Sequence, residues 1–201
     1  MSEATIDRNA HNLPPHIQEG EALEKKKIRE YFQNKKQGFF IEVGANDPTS
    51  PESQSFHLEK MLGWTGLLIE PIPYLANLAR IERPHSTVCE CACTSPEKTG
   101  VLELLIPKVG EELMTGHASL EANIDEHNYH NFETIKVPAR TLFDICSENN
   151  VGEVDLLSID VEGAELDVLK GSSLNSIRPK LILLEDKHLY LSKHKFLVEA
   201  G

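Results

Sequence analysis

Basic residues are scarce in this chain relative to acids: 20 Lys and Arg stand against 32 Asp and Glu, a formal net charge of −12. A nucleic-acid partner is therefore not expected, because such binders present a basic face to the phosphate backbone. Long apolar runs are missing as well. No stretch approaches the roughly 18 consecutive apolar residues of a membrane span. The segment 1–21 is polar and carries Pro14-Pro15, so it lacks a signal-peptide core and reads as an N-terminal arm. Cysteine is sparse too: Cys89, Cys91, Cys93 and Cys146. Three of these alternate along one apparent strand over 85–93 and would share a face. Without paired C-x-x-C knuckles they read as buried thiols rather than a metal site. Nothing calls for an oxidising compartment, and a cytoplasmic location is expected.

What remains, residues 22–201, is enough for one domain with a real core. Residues 22–36 place Leu23, Ile28, Tyr31 and Phe32 at helical spacing, and Gly38 ends that run. Phe39 to Val43 reads as a buried strand followed by the turn Gly44-Ala45-Asn46-Asp47-Pro48. A helix over 53–62, a strand over 66–71 stopped by Pro71, and a helix over 74–82 follow. The third strand is expected over 86–91, with a further element over 101–106 in an irregular region. Residues 111–131, rich in His, Asn and Glu, have little periodicity and read as a surface insertion that shapes a substrate site. A short strand over 135–138 precedes a helix over 141–149 with Thr141 as its N-cap. Then come a strand over 154–160, a helix over 164–170 ended by Gly171, and an apolar strand over 180–185. Strands that are apolar on both faces, alternating with helices, imply an α/β fold with a mainly parallel, doubly covered sheet.

Several of these strands end in acids. Glu42 and Asp47 flank Gly44, Glu70 ends the second strand, and Asp160 and Glu162 follow the run Leu156-Leu157-Ser158-Ile159. Open α/β sheets bind ligands at the carboxyl edge of their strands, and buried charge is costly unless paired or used. Glu70 follows Gly44 by roughly 25 residues, near the spacing that sets an acid on ribose hydroxyls. The G-x-G-x-x-G phosphate cradle is absent, since Asn46 and Thr49 occupy the later glycine positions. An acidic pocket without that cradle suits a phosphate-free, cationic ligand. Glu165 reads as support for a helix start. His117, His127 and His130 read as surface residues.

The segments Glu42-Val43-Gly44-Ala45-Asn46, Leu68-Ile69-Glu70-Pro71, Val137-x-x-Arg140-Thr141-Leu142, Ser158 to Glu165 and Leu169-Lys170-Gly171 resemble the FkbM family of S-adenosylmethionine-dependent methyltransferases. The likeness runs from about Gly38 to the C-terminus, and the D-V-E-G-x-E run is its most specific part. It departs after Asn46, where Asp47-Pro48-Thr49-Ser50-Pro51 replaces a glycine-bearing turn. The resemblance implies a Rossmann-like class I methyltransferase sheet of order 3-2-1-4-5 and oxygen methylation of a sugar, glycan or natural product. It also implies roles. Glu42, Val43, Gly44, Ala45 and Asn46 would line the methionine part of the donor S-adenosylmethionine. Glu70, with Pro71, would hold the ribose, Cys91 and Ala92 would lie near adenine, and Asp160 would face the donor methyl.

Asp160 is the first candidate for the base that a sugar hydroxyl needs, and Glu162, Glu185 or His188 could share that role. Ser119 and Glu185 are candidates for contact with the acceptor. Asp160 and Glu185 end strands that the fold sets side by side, but one acidic pair is a weak case for Mg²⁺, and no metal ligands are assigned. The expected partner is a small-molecule or glycan acceptor. The antiparallel strand pair that normally completes such a sheet has no sequence here. The chain is thus expected either to be a piece of a longer protein or to have its fifth-strand edge covered by another copy. Two other readings stay open: a nicotinamide-dependent oxidoreductase, disfavoured by the missing glycines, and a non-catalytic nucleoside-binding module.

Overall fold

The computed structural model describes residues 23–50, 52–120, 129–186 and 191–201; the arm expected over 1–21 lies outside them. Five strands form one all-parallel sheet: β1 (Phe39–Val43), β2 (Thr65–Ile69), β3 (Thr87–Cys89), β8 (Leu156–Ile159) and β9 (Leu181–Leu184). Their order is β3-β2-β1-β8-β9, which is the expected 3-2-1-4-5 counted within this sheet. Alternation along each strand sends neighbours to opposite faces. Ile41, Val43, Leu67, Ile69, Leu157 and Ile159 join one core cluster, whereas Phe40, Leu68 and Leu156 join the cluster on the other face. Because all pairs are parallel and in register from Phe39↔Thr65 to Val43↔Ile69, the strands end along one common edge.

Seven helices are described: α1 (Leu23–Tyr31), α2 (Phe56–Leu62), α3 (Pro73–Glu82), α4 (Leu142–Glu148), α5 (Glu165–Lys170), α6 (Leu174–Ile177) and α7 (Leu191–Ala200). Thr141 caps α4 as its sequence indicates, its hydroxyl accepting from the Asp144 N–H at 3.1 Å. Ends elsewhere move by a few residues. The helix expected from residue 53 begins at Phe56, because Ser53 and Ser55 are turned inward to a buried acid described below.

A second sheet departs from the sequence reading. The strand expected over 86–91 stops at Cys89, whose carbonyl accepts from both Glu70 N–H (3.0 Å) and Cys91 N–H (3.1 Å). The chain then changes sheets. β4 (Ala92–Cys93), β5 (Gly100–Val109), β6 (Glu112–Leu113) and β7 (Phe132–Arg140) form a four-stranded sheet of order β4-β7-β5-β6. The three alternating cysteines therefore do not share one strand, although all four cysteines meet in the same core cluster. They are free thiols. Burial pushes Cys91 and Cys146 up to about 12. The irregular region proves to be a long antiparallel pair, Gly100↔Ala139 through Pro107↔Phe132. Leu104, Ile106, Val137 and Ala139 face inward and pack with Ile72, Leu75 and Ala92, so this sheet leans over the carboxyl edge of the first.

Candidate active site

Two strand ends meet at Gly44. Its φ is +86°, and a Cβ there would lie 1.8 Å from the Asp160 carbonyl oxygen. Only glycine permits that approach. The Asp160 N–H donates to the Val43 carbonyl at 3.0 Å, and the Gly44 and Ala45 N–H groups donate to Ile69 at 3.0 and 3.1 Å. β8, β1 and β2 are thereby tied together just where their acids emerge. Asn46, at φ +46°, donates its N–H to Glu70 Oε2 at 2.7 Å, and Ile72 N–H donates to Glu70 Oε1 at 2.8 Å. Glu70 is buried, and that burial pushes its carboxyl up to about 7, outweighing the two N–H donors that favour the charge.

Glu42 sits inside the sheet, where its carboxylate organises the loop before α2. It accepts from Ser53 Oγ (3.1 Å), Gln54 N–H (2.7 Å) and Ser55 Oγ. Arg83, fully buried, donates to Ser55 Oγ at 2.9 Å and to Glu59 Oε2 at 2.7 Å. This buried network replaces the glycine-bearing turn with a polar clasp, and Asp47 closes its own turn by accepting from Thr49 N–H and Oγ1.

Beyond β8 the chain turns through Glu162 (φ +54°) and Gly163 (φ +108°). A left-handed glutamate is uncommon and needs external support. Ser119 supplies it, donating its Oγ to the Glu162 carbonyl at 2.8 Å. The Gly163 N–H donates to Glu165 Oε1 at 2.8 Å, and Glu165 Oε2 pairs with Lys193 at 3.3 Å. Glu165 is thus helix support, tied to α7. Asp160, Glu162 and Glu185 have carboxylate oxygens all within 4.8 Å of one another. Oxygen donors of this kind suit a hard cation, although clustered surface acids are common without one.

These pieces enclose a cavity of about 580 Å³, within the range for small-ligand sites. Glu42, Val43, Gly44, Ala45, Asn46, Glu70, Pro71, Cys91, Ala92, Asp160 and Glu162 all line it. Glu185 reaches its rim through the acid trio. Ser119 does not line it; its hydroxyl is directed to Glu162 while its neighbours Ala118 and Leu120 face the cavity. His188 and His127 lie outside the described residues. His117, read from sequence as a surface residue, lines the cavity, its Nδ1 2.7 Å from the Tyr129 hydroxyl. Lys25 and Gln54 also line it and went unnoticed in the sequence. Lys25 lies in a charged helix with no local mark of function, and Gln54 would have been found only from the serines around it.

A family model described as the Methyltransferase FkbM domain matches residues 42–199. No curated protein matches the chain. Among solved structures the chain is similar to a methyltransferase FkbM from Methylobacillus flagellatus KT, with 14% identity and a TM-score of 0.45. That similarity covers 82% of this chain but only 37% of the other, so the chain spans little more than a third of that protein's length. The family match takes in the whole strand-end constellation, from Glu42 to the acids after β8 and β9, and on that evidence the chain belongs to the FkbM methyltransferase family.

Proposed function

We propose that the chain transfers a methyl group from S-adenosylmethionine to a hydroxyl oxygen of a sugar, glycan or natural product. The observation that carries this reading is the chemistry of the cavity wall. Gly44, Glu70 and Asp160 converge there, and two amide oxygens, Asn46 Oδ1 and Gln54 Oε1, are buried without a partner. Such a wall fits a cationic ligand with hydroxyl and ammonium donors and no phosphate. When bound, the donor supplies a methyl carbon made electrophilic by its sulfonium sulfur.

Glu70 is assigned to the ribose hydroxyls, since each of its oxygens keeps a lone pair beyond the backbone N–H it already accepts. Pro71, Cys91 and Ala92 are assigned to the nucleoside. Asp160 takes the proton of the acceptor hydroxyl, with Glu162 and His188 as the other candidate bases and Glu185 orienting the acceptor. Ser119 acts through Glu162 by holding its left-handed backbone. Two carboxylates fixed on tied strand ends place the acceptor before reaction, which is where much of the barrier to an in-line displacement is lowered.

A nicotinamide-dependent oxidoreductase is less well supported. Tyr31 and Lys35 have the Tyr-x-x-x-Lys spacing used by some such enzymes, but both sit at the opposite edge of the sheet. The Tyr31 hydroxyl donates to the Lys180 carbonyl, and Lys35 pairs with Asp155 ahead of β8. Calorimetry with S-adenosylhomocysteine and with NAD decides between the two: binding of the first alone is expected, and binding of NAD alone would overturn the proposal. Methyl transfer from labelled donor to a glycan pool, followed by mass spectrometry, separates an enzyme from a binding module. The expected setting is the cytoplasm. Among the described residues no helix is long and apolar enough to cross a membrane.

A further inference from the structure

α7 turns an unexpected side inward for a helix held by apolar packing. Leu191 and Val198 are each 81% exposed, while the residue it buries is Lys193, at 4%. Taking an ammonium out of water is costly, and an apolar side chain of similar length would fix the helix at lower cost. The lysine is charged all the same. Burial pushes its ammonium down, but the hydrogen bond to Asp186 and the Glu165 carboxylate outweigh it and hold it above its usual range.

The contacts of Lys193 account for its placement. Its Nζ lies 3.3 Å from Glu165 Oε2 and 2.9 Å from Asp186 Oδ1, and it donates to the Glu185 carbonyl at 2.9 Å. These groups serve the ends of two neighbouring strands. Glu185 and Asp186 follow β9, which pairs with β8 in the register Ile159↔Leu184. Glu165 reaches back to the turn after β8 by accepting from the Gly163 N–H at 2.8 Å, next to Glu162 in its left-handed conformation. One side chain from α7 therefore ties the Glu162 turn to the Glu185 strand end. The carboxylates of those two residues and of Asp160 have oxygens within 4.8 Å of one another. Carboxylates this close repel, so their spacing depends on what holds the backbone beneath them.

We propose that Lys193 is a positioning residue for methyl transfer, holding the Glu162 turn and the Glu185 strand end at the separation that the acceptor hydroxyl requires. The role rests on the methyltransferase reading above and on the acceptor contacts assigned there to Asp160, Glu162 and Glu185. Lys193 does not line the cavity. It acts through Glu165, Asp186 and the Glu185 carbonyl, and it makes α7 part of the acceptor side of the site without contributing a wall residue.

The test compares the native full chain with Lys193→Met, Glu165→Gln and the double variant in two assays. One is calorimetry with S-adenosylhomocysteine; the other is methyl transfer from labelled S-adenosylmethionine to the glycan pool. Each single variant is expected to lower turnover by roughly 10- to 100-fold, the scale of a misplaced reacting group, with S-adenosylhomocysteine affinity unchanged. The double variant should lose no more than the worse single one, because both residues act along one chain of contacts. Lys193→Met strands two buried carboxylates, and the double variant removes one of those charges, so it decides by the same split if Lys193→Met does not fold. Parallel losses of donor affinity and turnover, additive losses in the double variant, or full turnover in Lys193→Met would each overturn the positioning role and leave the donor reading standing. Absence of S-adenosylhomocysteine binding by the native chain would overturn the donor reading and this role together. Binding without methyl transfer would overturn the acceptor contacts and the positioning role with them.

Discussion

Asp160 emerges one residue beyond β8, and its backbone is tied to Val43 on one side and pressed against Gly44 on the other. In the proposed role of base, a carboxylate held this way needs little rearrangement before it accepts a proton. Asp160→Asn is expected to lower turnover by about 10²- to 10⁴-fold, the usual contribution of a general base, with a much smaller loss of donor affinity from the removed charge. Full turnover with altered affinity alone would move the base to another group. Glu70 supports a pH prediction. Its folded pKa of about 7 lies above the unfolded value, so its contribution to stability is complete below the unfolded pKa and is lost as pH rises through about 7. The stability of the native chain relative to Glu70→Gln should therefore fall by roughly 2.5 kcal/mol between pH 5 and pH 8. Guanidinium unfolding at both values measures it, and a pH-independent difference would mean that the carboxyl is not desolvated. The acids themselves were legible in the sequence because each follows a run of apolar residues. What Glu42 does was not: that depends on Ser53, Gln54, Ser55 and, through Ser55, Arg83, and no spacing rule connects residue 42 to residue 83.

At the scale of elements, the crossing of β1 and β8 ends is the most demanding joint. Gly44→Ala puts a methyl group into the Asp160 carbonyl and a side chain on a left-handed residue. It should destabilise the fold by roughly 2–5 kcal/mol and weaken donor binding in proportion to the displaced acid. Chemical denaturation and donor titration give both numbers, and a stable, tightly binding Ala variant would refute the close approach. Main-sheet strands and most helices were readable because their signals are local: apolar runs, a threonine cap, glycine and proline stops. β3 and β4 were misread as one strand because alternation of Cys89, Cys91 and Cys93 satisfies the strand pattern on both sides of the break. What ends β3 is hydrogen bonding by the Cys89 carbonyl to Glu70 and Cys91, a contact partly set by a distant residue. The second sheet was hidden for a related reason: Gly110 marks the turn from β5 to β6, but no local pattern links β5 to β7, which pair across the 22 residues between Val109 and Phe132.

At the scale of the molecule, two things depend on assembly. The second sheet leans its apolar face on α3 and closes the cavity with 115–118 and Leu120, converting an open sheet edge into an enclosed site. β9, in contrast, leaves its outer edge without a strand partner among the described residues, and its four residues are only half-buried. Unpaired apolar edges invite pairing. Light scattering is expected to show a dimer that Leu183→Lys dissociates; a monomer at every concentration would remove the second copy from the expected partners.

The amino-acid sequence by itself determined the parallel sheet, the succession of strands and helices along the chain, and the acids at the sheet's carboxyl edge. Each of those follows from patterning over a few neighbouring residues, and the acidic edge without a phosphate cradle already narrowed the ligand. Only the tertiary structure decided which groups face the same space. Lys25, Gln54 and His117 come to one cavity, and Ser119 turns away from it to brace Glu162, because packing and the pairing of buried polar groups act between residues far apart in the chain.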